Sequence, residues 1–261
     1  MTAIRVDEHE NAVHLITIDR ADRRNAFDEE LIDAWVSRLG ELAARSPRAV
    51  VITGAGNVFC AGYDVRGIDP EQEPDAPLPD TRFERVIRAV SELPCPAVAA
   101  VNGDAFGGGL DLALACDFCL VAGGAQLAMT PCRLGLVYSA EGVARVLGKL
   151  GGPLTRKLFL TALPIDAAEA ARTGALEIVD GKNALLPRAL ELASRIASNA
   201  PLAVLGTRKT IAAVEDALAK SLSDETRELL RDLRVLAFQS ADLKEGLAAF
   251  ADKRPPKFRG E

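Results

Sequence analysis

Histidine is nearly absent from this 261-residue chain: His9 and His14 are the only two, and both lie beside the first apolar run. That argues against a Ser-His-Asp triad, which needs a histidine beside its nucleophile. Cysteine is scarce and odd in number, with Cys60, Cys95, Cys116, Cys119 and Cys132 set in apolar surroundings. This usage suits small buried side chains in a reducing compartment and predicts no structural disulfide. The C-x-x-C spacing in "CDFC", Cys116 to Cys119, has no second pair, which argues against a zinc or redox site. Runs of Lys and Arg are missing and the net charge is −6, so neither nucleic acid nor an anionic membrane is an expected partner. Any anion site must be local. No stretch approaches the roughly 18 uninterrupted apolar residues of a membrane span. The opening "MTAIRVDEHENA" is acidic and has no apolar core of a signal peptide, so the expected location is cytoplasmic. Neither G-x-G-x-x-G nor a Walker A sequence occurs, which weakens nucleotide readings, and there is no internal repeat or low-complexity tract.

What the chain does contain is apolar: 49% of its residues are hydrophobic, enough for a large core. "AVHLITI" at 12–18 alternates with period two, and "AVVIT" at 49–53, "AVAAV" at 97–101 and "DFCLV" at 117–121 are short Val-rich runs that read as strands. Between the first two, "DEELIDAWVSRLGELAARS" places Leu31, Trp35, Leu39 and Leu42 on one helical face behind an acidic start. A second helix is predicted over 81–93, and a third begins in the glycines at 107–109. Strands and helices alternate, so the class is α/β. The segment at 67–80 carries four prolines among acidic residues and reads as a surface loop, either a lid or a solvated linker. From about residue 185 the pattern is helical only. The predicted division is a core over 1–190 and a helical region over 191–261 whose apolar faces call for a partner surface.

Two stretches carry the chemistry. In "VNGDAFGGGLDLALACD", Val101 to Asp117, three glycines follow a strand and open a helix, and Asp111 sits in an otherwise apolar helix. Ordering glycine and burying a carboxylate both cost stability. The backbone N–H groups at such a helix start would serve an anion or oxyanion; alternatively the glycines only permit close helix–sheet packing. In "VVITGAGNVFCAGYD" at 50–64, a second strand runs into a Gly-rich turn, so two turns can supply two converging amides.

With this pairing the chain resembles the crotonase (enoyl-CoA hydratase/isomerase) superfamily, whose hallmark is a strand, "FxAGxD", another strand and "NGxxxGGGxExxxxxD". The resemblance runs from "NAFDEELI" at 25–32 to "EGLAAFADKRPPKF" at 245–258. It implies a spiral of ββα units with a helical C-terminal trimerisation region, hence a homotrimer or homohexamer. It also implies an oxyanion hole for a coenzyme A thioester, made by the backbone N–H groups of Tyr63 and Gly108. No metal and no prosthetic group is implied; coenzyme A enters as part of the substrate.

Asp111 falls where family hydratases carry their first catalytic glutamate, and Pro131 falls where they carry the second. Proline transfers no proton, which counts against ordinary hydration by two carboxylates. "MTPCRLGLVYSAEG" at 129–142 instead resembles the methylmalonyl-CoA decarboxylase branch, which implies that the hydroxyls of Thr130 and Tyr138 hold a departing carboxylate out of the thioester plane. Asp111 or water would then reprotonate the carbon. That branch often has histidine where this chain has Tyr63. Glu141 lies about one helical turn past Tyr138 and reads either as a replacement acid or as a surface glutamate. Arg66 matches a family position that meets a CoA phosphate, and Phe250 and Lys253 match positions that contact its adenine from a neighbouring subunit. Asp117 reads as a structural cap. The leading expectation is decarboxylation of a short malonyl-type CoA. The alternatives are an enoyl-CoA hydratase or isomerase using Asp111, with or without Glu141, and a non-catalytic acyl-CoA binder.

Overall fold

The β2 strand (Val13–Ile18), read as a strand from its period-two alternation, is buried at every position. Its two faces enter two different cores. Ile16 and Ile18 join the large cluster under α1 (Glu29–Ala43), while Val13 and Leu15 join a smaller one under α6 (Leu185–Ala197). Parallel sheets covered on both faces place apolar side chains on both. The computed structural model describes residues 3–72, 78–181, 183–219 and 223–260.

A six-stranded sheet runs in the order β1 (Ile4–His9), β2, β3 (Ala49–Gly54), β5 (Ala97–Val101), β7 (Phe118–Ala122) and β10 (Glu177–Val179). Only β1 is antiparallel to its neighbour; Val50 pairs with Ala97 and Val98 with Phe118 in the parallel centre. A second sheet of four holds β4 (Val58–Cys60), β6 (Asp104–Phe106), β8 (Gln126–Ala128) and β9 (Ile165–Asp166). The chain alternates between the sheets and then enters a helix, three times. β3 and β4 lead to α2 (Pro79–Ser91), β5 and β6 to α3 (Gly108–Ala115), and β7 and β8 to α4 (Ala140–Thr161). This is the expected spiral of ββα units. It stacks the ends of β4, β6 and β8, and the turns that follow them, along one side of the small sheet.

Local sequence explains the elements. The Asp28 carboxylate caps α1 by accepting from the Leu31 N–H at 3.0 Å, and Leu31, Ile32, Trp35, Leu39 and Leu42 are buried along one stripe. Trp35 donates from its indole to the Val86 carbonyl at 3.2 Å, locking α1 to α2. The α2 helix begins at Pro79, two residues before the predicted start, because proline suits the first helical position. Of the predicted loop over 67–80, residues 73–77 lie outside the described residues.

The predicted boundary after residue 190 falls inside a helix. It cuts α6, whose Ala189, Ala193, Ile196 and Ala197 are buried against the large sheet, so the core runs through that helix. The appended helices are α7 (Pro201–Ala219), α8 (Asp224–Phe238) and α9 (Ala241–Ala251). Asp117 anchors the first of them. Its carboxylate accepts from the Ala97 N–H at 2.8 Å and from Arg208 Nε of α7 at 2.9 Å, which bears out a structural role. The α9 helix packs on the loop before α4, where a side chain at Gly246 would stand 2.5 Å from the Leu134 carbonyl oxygen. The C-terminal helices therefore support this chain's own 131–138 loop.

All five cysteines are free; four are buried, whereas Cys132 is exposed, contrary to expectation. Burial pushes the Cys60, Cys95 and Cys119 thiols up to about 12, so these three stay protonated and inert. No helix among the described residues is long and apolar enough to cross a membrane.

Candidate active site

The two glycine turns meet. Gly62 has φ +84, and a Cβ there would lie 2.7 Å from the Gly108 nitrogen. Only glycine lets the first turn pass without covering that N–H. Gly108 opens α3, so its N–H has no carbonyl within the helix to serve. The Phe27–Tyr63 bridge uses the N–H groups of Phe27, donated to Gly62 at 2.8 Å, and of Asp64, donated to Phe27 at 2.8 Å. Alternation along an extended strand turns the Tyr63 N–H to the opposite side. Tyr63 and Gly108 both line one cleft.

Each of the three consecutive glycines answers a different need. Gly107 bends the chain at φ +54 into α3. A Cβ at Gly108 would strike the Phe83 ring at 2.7 Å, and one at Gly109 would reach the Cys60 carbonyl oxygen at 2.0 Å. Close helix–sheet packing and an amide with no acceptor inside the helix thus arise from one sequence.

Two asparagines fix the turns, and the sequence reading passed over both. Asn25, fully buried, donates to the carbonyls of Ala55, Val58 and Phe59 and accepts from the Arg20 N–H at 3.0 Å. Asn102 accepts from the Gly54 N–H at 3.0 Å and donates to the Gly56 carbonyl at 2.9 Å. The signal was present, since an asparagine flanked by strand and turn residues is a usual satisfier of backbone groups.

Thr130, Pro131 and Tyr138 line the same cleft, and Thr130 makes no capping bond with its hydroxyl. Asp111 does not line it. Only 1% exposed, it sits behind Tyr138, whose hydroxyl donates to Asp111 Oδ2 at 3.0 Å, while Arg145 Nε donates to Oδ1 at 2.7 Å. Arg145 Nη2 also binds Glu84 at 3.0 Å. Burial raises the Asp111 and Glu84 carboxyls above the usual carboxylate range despite the Arg145 charge, because one guanidinium serves two acids. Burial, then the Asp111 charge, holds the Tyr138 phenol well above its ordinary value. Gly142 permits the arrangement: a Cβ there would lie 2.3 Å from the Tyr138 ring.

Glu141 is placed differently from the replacement-acid reading. It is exposed in the first turn of α4 and outside the cleft lining, and the acid that joins the Asp111 network is Glu84. Arg145, seven residues past Tyr138 and two helical turns along, was visible by spacing; Glu84, on another helix, was not. Asp80, which lines the cleft from the first turn of α2, had been read as part of a loop. Arg66 is held by Asp64 through bonds of 2.9 and 2.8 Å at the cleft's edge, next to Val65, which lines it. Tyr63 turns its ring outward enough for its hydroxyl to reach Glu29 at 3.1 Å. Phe250 and Lys253 are exposed and outside this chain's cleft.

The family model for enoyl-CoA hydratase/isomerase matches residues 8–261. The chain belongs to that family. It is 35% identical over 241 residues to the carnitinyl-CoA dehydratase of Proteus mirabilis (strain HI4320), covering 88% of this chain and 90% of the relative. To the 2,3-dehydroadipyl-CoA hydratase of Escherichia coli (strain K12) it is 33% identical over 250 residues, 95% of each. Among solved structures, a methylmalonyl-CoA decarboxylase in complex with 2-nitronate-propionyl-CoA superposes with a TM-score of 0.91 at 25% identity, covering 100% of this chain and 99% of that one. This family member is a crotonase-fold acyl-CoA enzyme; the relatives named here hydrate, dehydrate or decarboxylate.

Proposed function

We propose that this family member decarboxylates a short malonyl-type CoA thioester, such as methylmalonyl-CoA. The observation that carries the reading is the withdrawal of Asp111 behind Tyr138, combined with Pro131 where a second carboxylate would stand. Hydration needs two acids around one water. Here the cleft presents hydroxyls near the amides, and Arg234 holds the Asp80 carboxylate at 2.6 Å.

The Tyr63 and Gly108 amides receive the thioester oxygen. Thr130 and Tyr138 hold the substrate carboxylate perpendicular to the thioester plane. The C–CO₂ bond then breaks, its electron pair flows into the enolate, and CO₂ leaves; water supplies the proton to the carbon. Two preorganised donors stabilise charge as it develops, and each is worth about 2.7–4 kcal/mol. Tyr138 has one proton, which an ionised Asp111 takes for itself. A protonated Asp111 donates to the Tyr138 oxygen instead and frees the phenol proton for the substrate carboxylate. The raised Asp111 carboxyl fits that state.

Coenzyme A lies toward Arg66, and Phe250 and Lys253 of a neighbouring subunit meet its adenine. The exposed Leu229, Leu233 and Leu236 of α8 and Ile211 and Val214 of α7 supply apolar surface for a homotrimer or homohexamer. The working location is cytoplasmic. Hydratase or isomerase activity is the second reading, favoured by the more similar dehydratase and hydratase relatives.

One assay separates the readings: the purified protein with methylmalonyl-CoA, ethylmalonyl-CoA and crotonyl-CoA in parallel, followed by CO₂ release and product mass. CO₂ release is expected. Hydration of crotonyl-CoA alone overturns the proposal, and tight binding without turnover identifies a non-catalytic binder.

A further inference from the structure

Glu84 of α2 is an acid to which the reaction scheme gives no task. Its side chain is 25% exposed, and its carboxylate bonds only Arg145 Nη2 among the described residues, at 3.0 and 3.2 Å. Arg145 already has a partner, because its Nε donates to Asp111 Oδ1 at 2.7 Å. A second acid on one partly buried guanidinium leaves an uncompensated charge when both acids are ionised, which costs stability.

The distances indicate what the second acid does. Arg66 makes a side-on pair with Asp64 at 2.9 and 2.8 Å, and Asp64 is the only carboxylate that Arg66 bonds among the described residues. In the Arg145–Asp111 pair the same two donors, Nε and Nη2, stand at 2.7 and 3.5 Å. Nη2, bonded to Glu84, stands off from Oδ2. The shorter bond to Oδ2 comes from the Tyr138 hydroxyl, at 3.0 Å.

We infer that Glu84 is a positioning residue: by holding Arg145 Nη2 away from Asp111 Oδ2, it reserves that oxygen for Tyr138. An arginine bonded evenly to both oxygens of a carboxylate favours its ionised form, and a like charge nearby disfavours it. Glu84 weakens the first effect and supplies the second. The other charges that reach the cluster are Asp80 of α2, which acts on Asp111, and Glu141 of α4, which acts on Glu84; both are acids and push the same way. Asp80 is itself paired with Arg234. Burial is the largest cause of the raised Asp111 and Glu84 carboxyls, and the crowding of acids adds to it. A proton kept on Oδ2 points at the Tyr138 oxygen and leaves the phenol proton for the cleft. The inference rests on the decarboxylation reading for what that phenol proton does, but its first test needs no turnover.

That test is an NMR titration of the full chain isotope-labelled at tyrosine Cζ. The chain has two tyrosines, so Tyr138→Phe assigns both signals. The Tyr138 signal follows whether its oxygen donates or accepts, and should inflect as Asp111 ionises. In Glu84→Gln and in Glu84→Leu the midpoint should fall by about one pH unit or more, an about tenfold or greater loss of proton affinity. Glu84→Asp keeps the charge and should stay nearer the wild-type midpoint. The decline of CO₂ release with rising pH should move down by the same interval, with KM unchanged. A melting curve establishes that each variant is folded. A purely structural Glu84 would lower the melting temperature without moving the midpoint, so an unmoved midpoint in either folded variant that lacks the charge overturns the inference. A wild-type Tyr138 signal that is flat with pH overturns it as well. A shifted midpoint in a protein that releases no CO₂ from any malonyl-type thioester overturns the decarboxylation reading and leaves Glu84 in its positioning role.

Discussion

Arg145→Met removes the single cation from a buried group that holds two acids. Asp111 is 1% exposed and bonded to Arg145 at 2.7 Å, and the Glu84 side chain, 25% exposed, is bonded at 3.0 Å. Methionine fills much of the same volume, so the loss is mainly electrostatic. Breaking a buried pair by deleting one partner costs about 3–5 kcal/mol, a large share of the roughly 5–15 kcal/mol that holds a domain folded. The sign with pH follows from the raised carboxyls. The folded protein keeps protons on Asp111 and Glu84 that the unfolded chain releases near the ordinary carboxylate value. Their contribution to stability is therefore present below the unfolded values and is lost as pH rises through the folded ones. Without Arg145 both carboxyls rise further. The deficit then grows with pH by up to about 1.4 kcal/mol per unit for each extra proton bound. Urea unfolding of wild type and variant between about pH 5 and pH 8 measures this directly. A companion, Arg145→Met with Asp111→Asn, removes one buried charge and should recover about half of the neutral-pH loss. A deficit below about 1 kcal/mol at neutral pH, or one that does not change with pH, refutes the account of this network.

Tyr138→Phe removes the hydroxyl that holds the departing carboxylate, so CO₂ release should fall by about 10²-fold or more while CoA affinity barely moves; an unchanged rate removes Tyr138 from the mechanism. Gly62→Ala sets a methyl 2.7 Å from the Gly108 nitrogen at φ +84 and should lower kcat by about 10²–10³-fold, read against a melting curve that reports backbone strain separately. Wild-type CO₂ release should decline as pH rises through the raised Asp111 value, because ionised Asp111 captures the Tyr138 proton. Asp111→Asn, whose amide donates at every pH, should release CO₂ with that decline abolished; loss of more than about 100-fold at all pH values would assign Asp111 a proton-transfer role instead.

The strands at 97–101 and 49–53 and the stripe of Leu31, Trp35 and Leu39 were legible because hydrophobic periodicity is set by local geometry. The motif pair "CAGYD" and "FGGGLD" marked the two turns that meet at the cleft, since a Cβ would strike backbone at Gly62 and Gly109 and the Phe83 ring at Gly108. Short strands such as β4, β6 and β8, three residues each, carry too little pattern to be read alone; their pairing is long-range. The side-chain network was hidden for the same reason. Glu84, Asp111 and Arg145 come from three helices, and Asp80 and Arg234 lie 154 residues apart. Sequence determined where the backbone could bend and which faces had to be buried, because those follow from each residue's own shape and polarity. Which carboxylate faces the cleft, which is sealed behind Tyr138 and which acid shares Arg145 were decided only when the helices packed, because burial and charge pairing are properties of neighbours that the chain order does not contain.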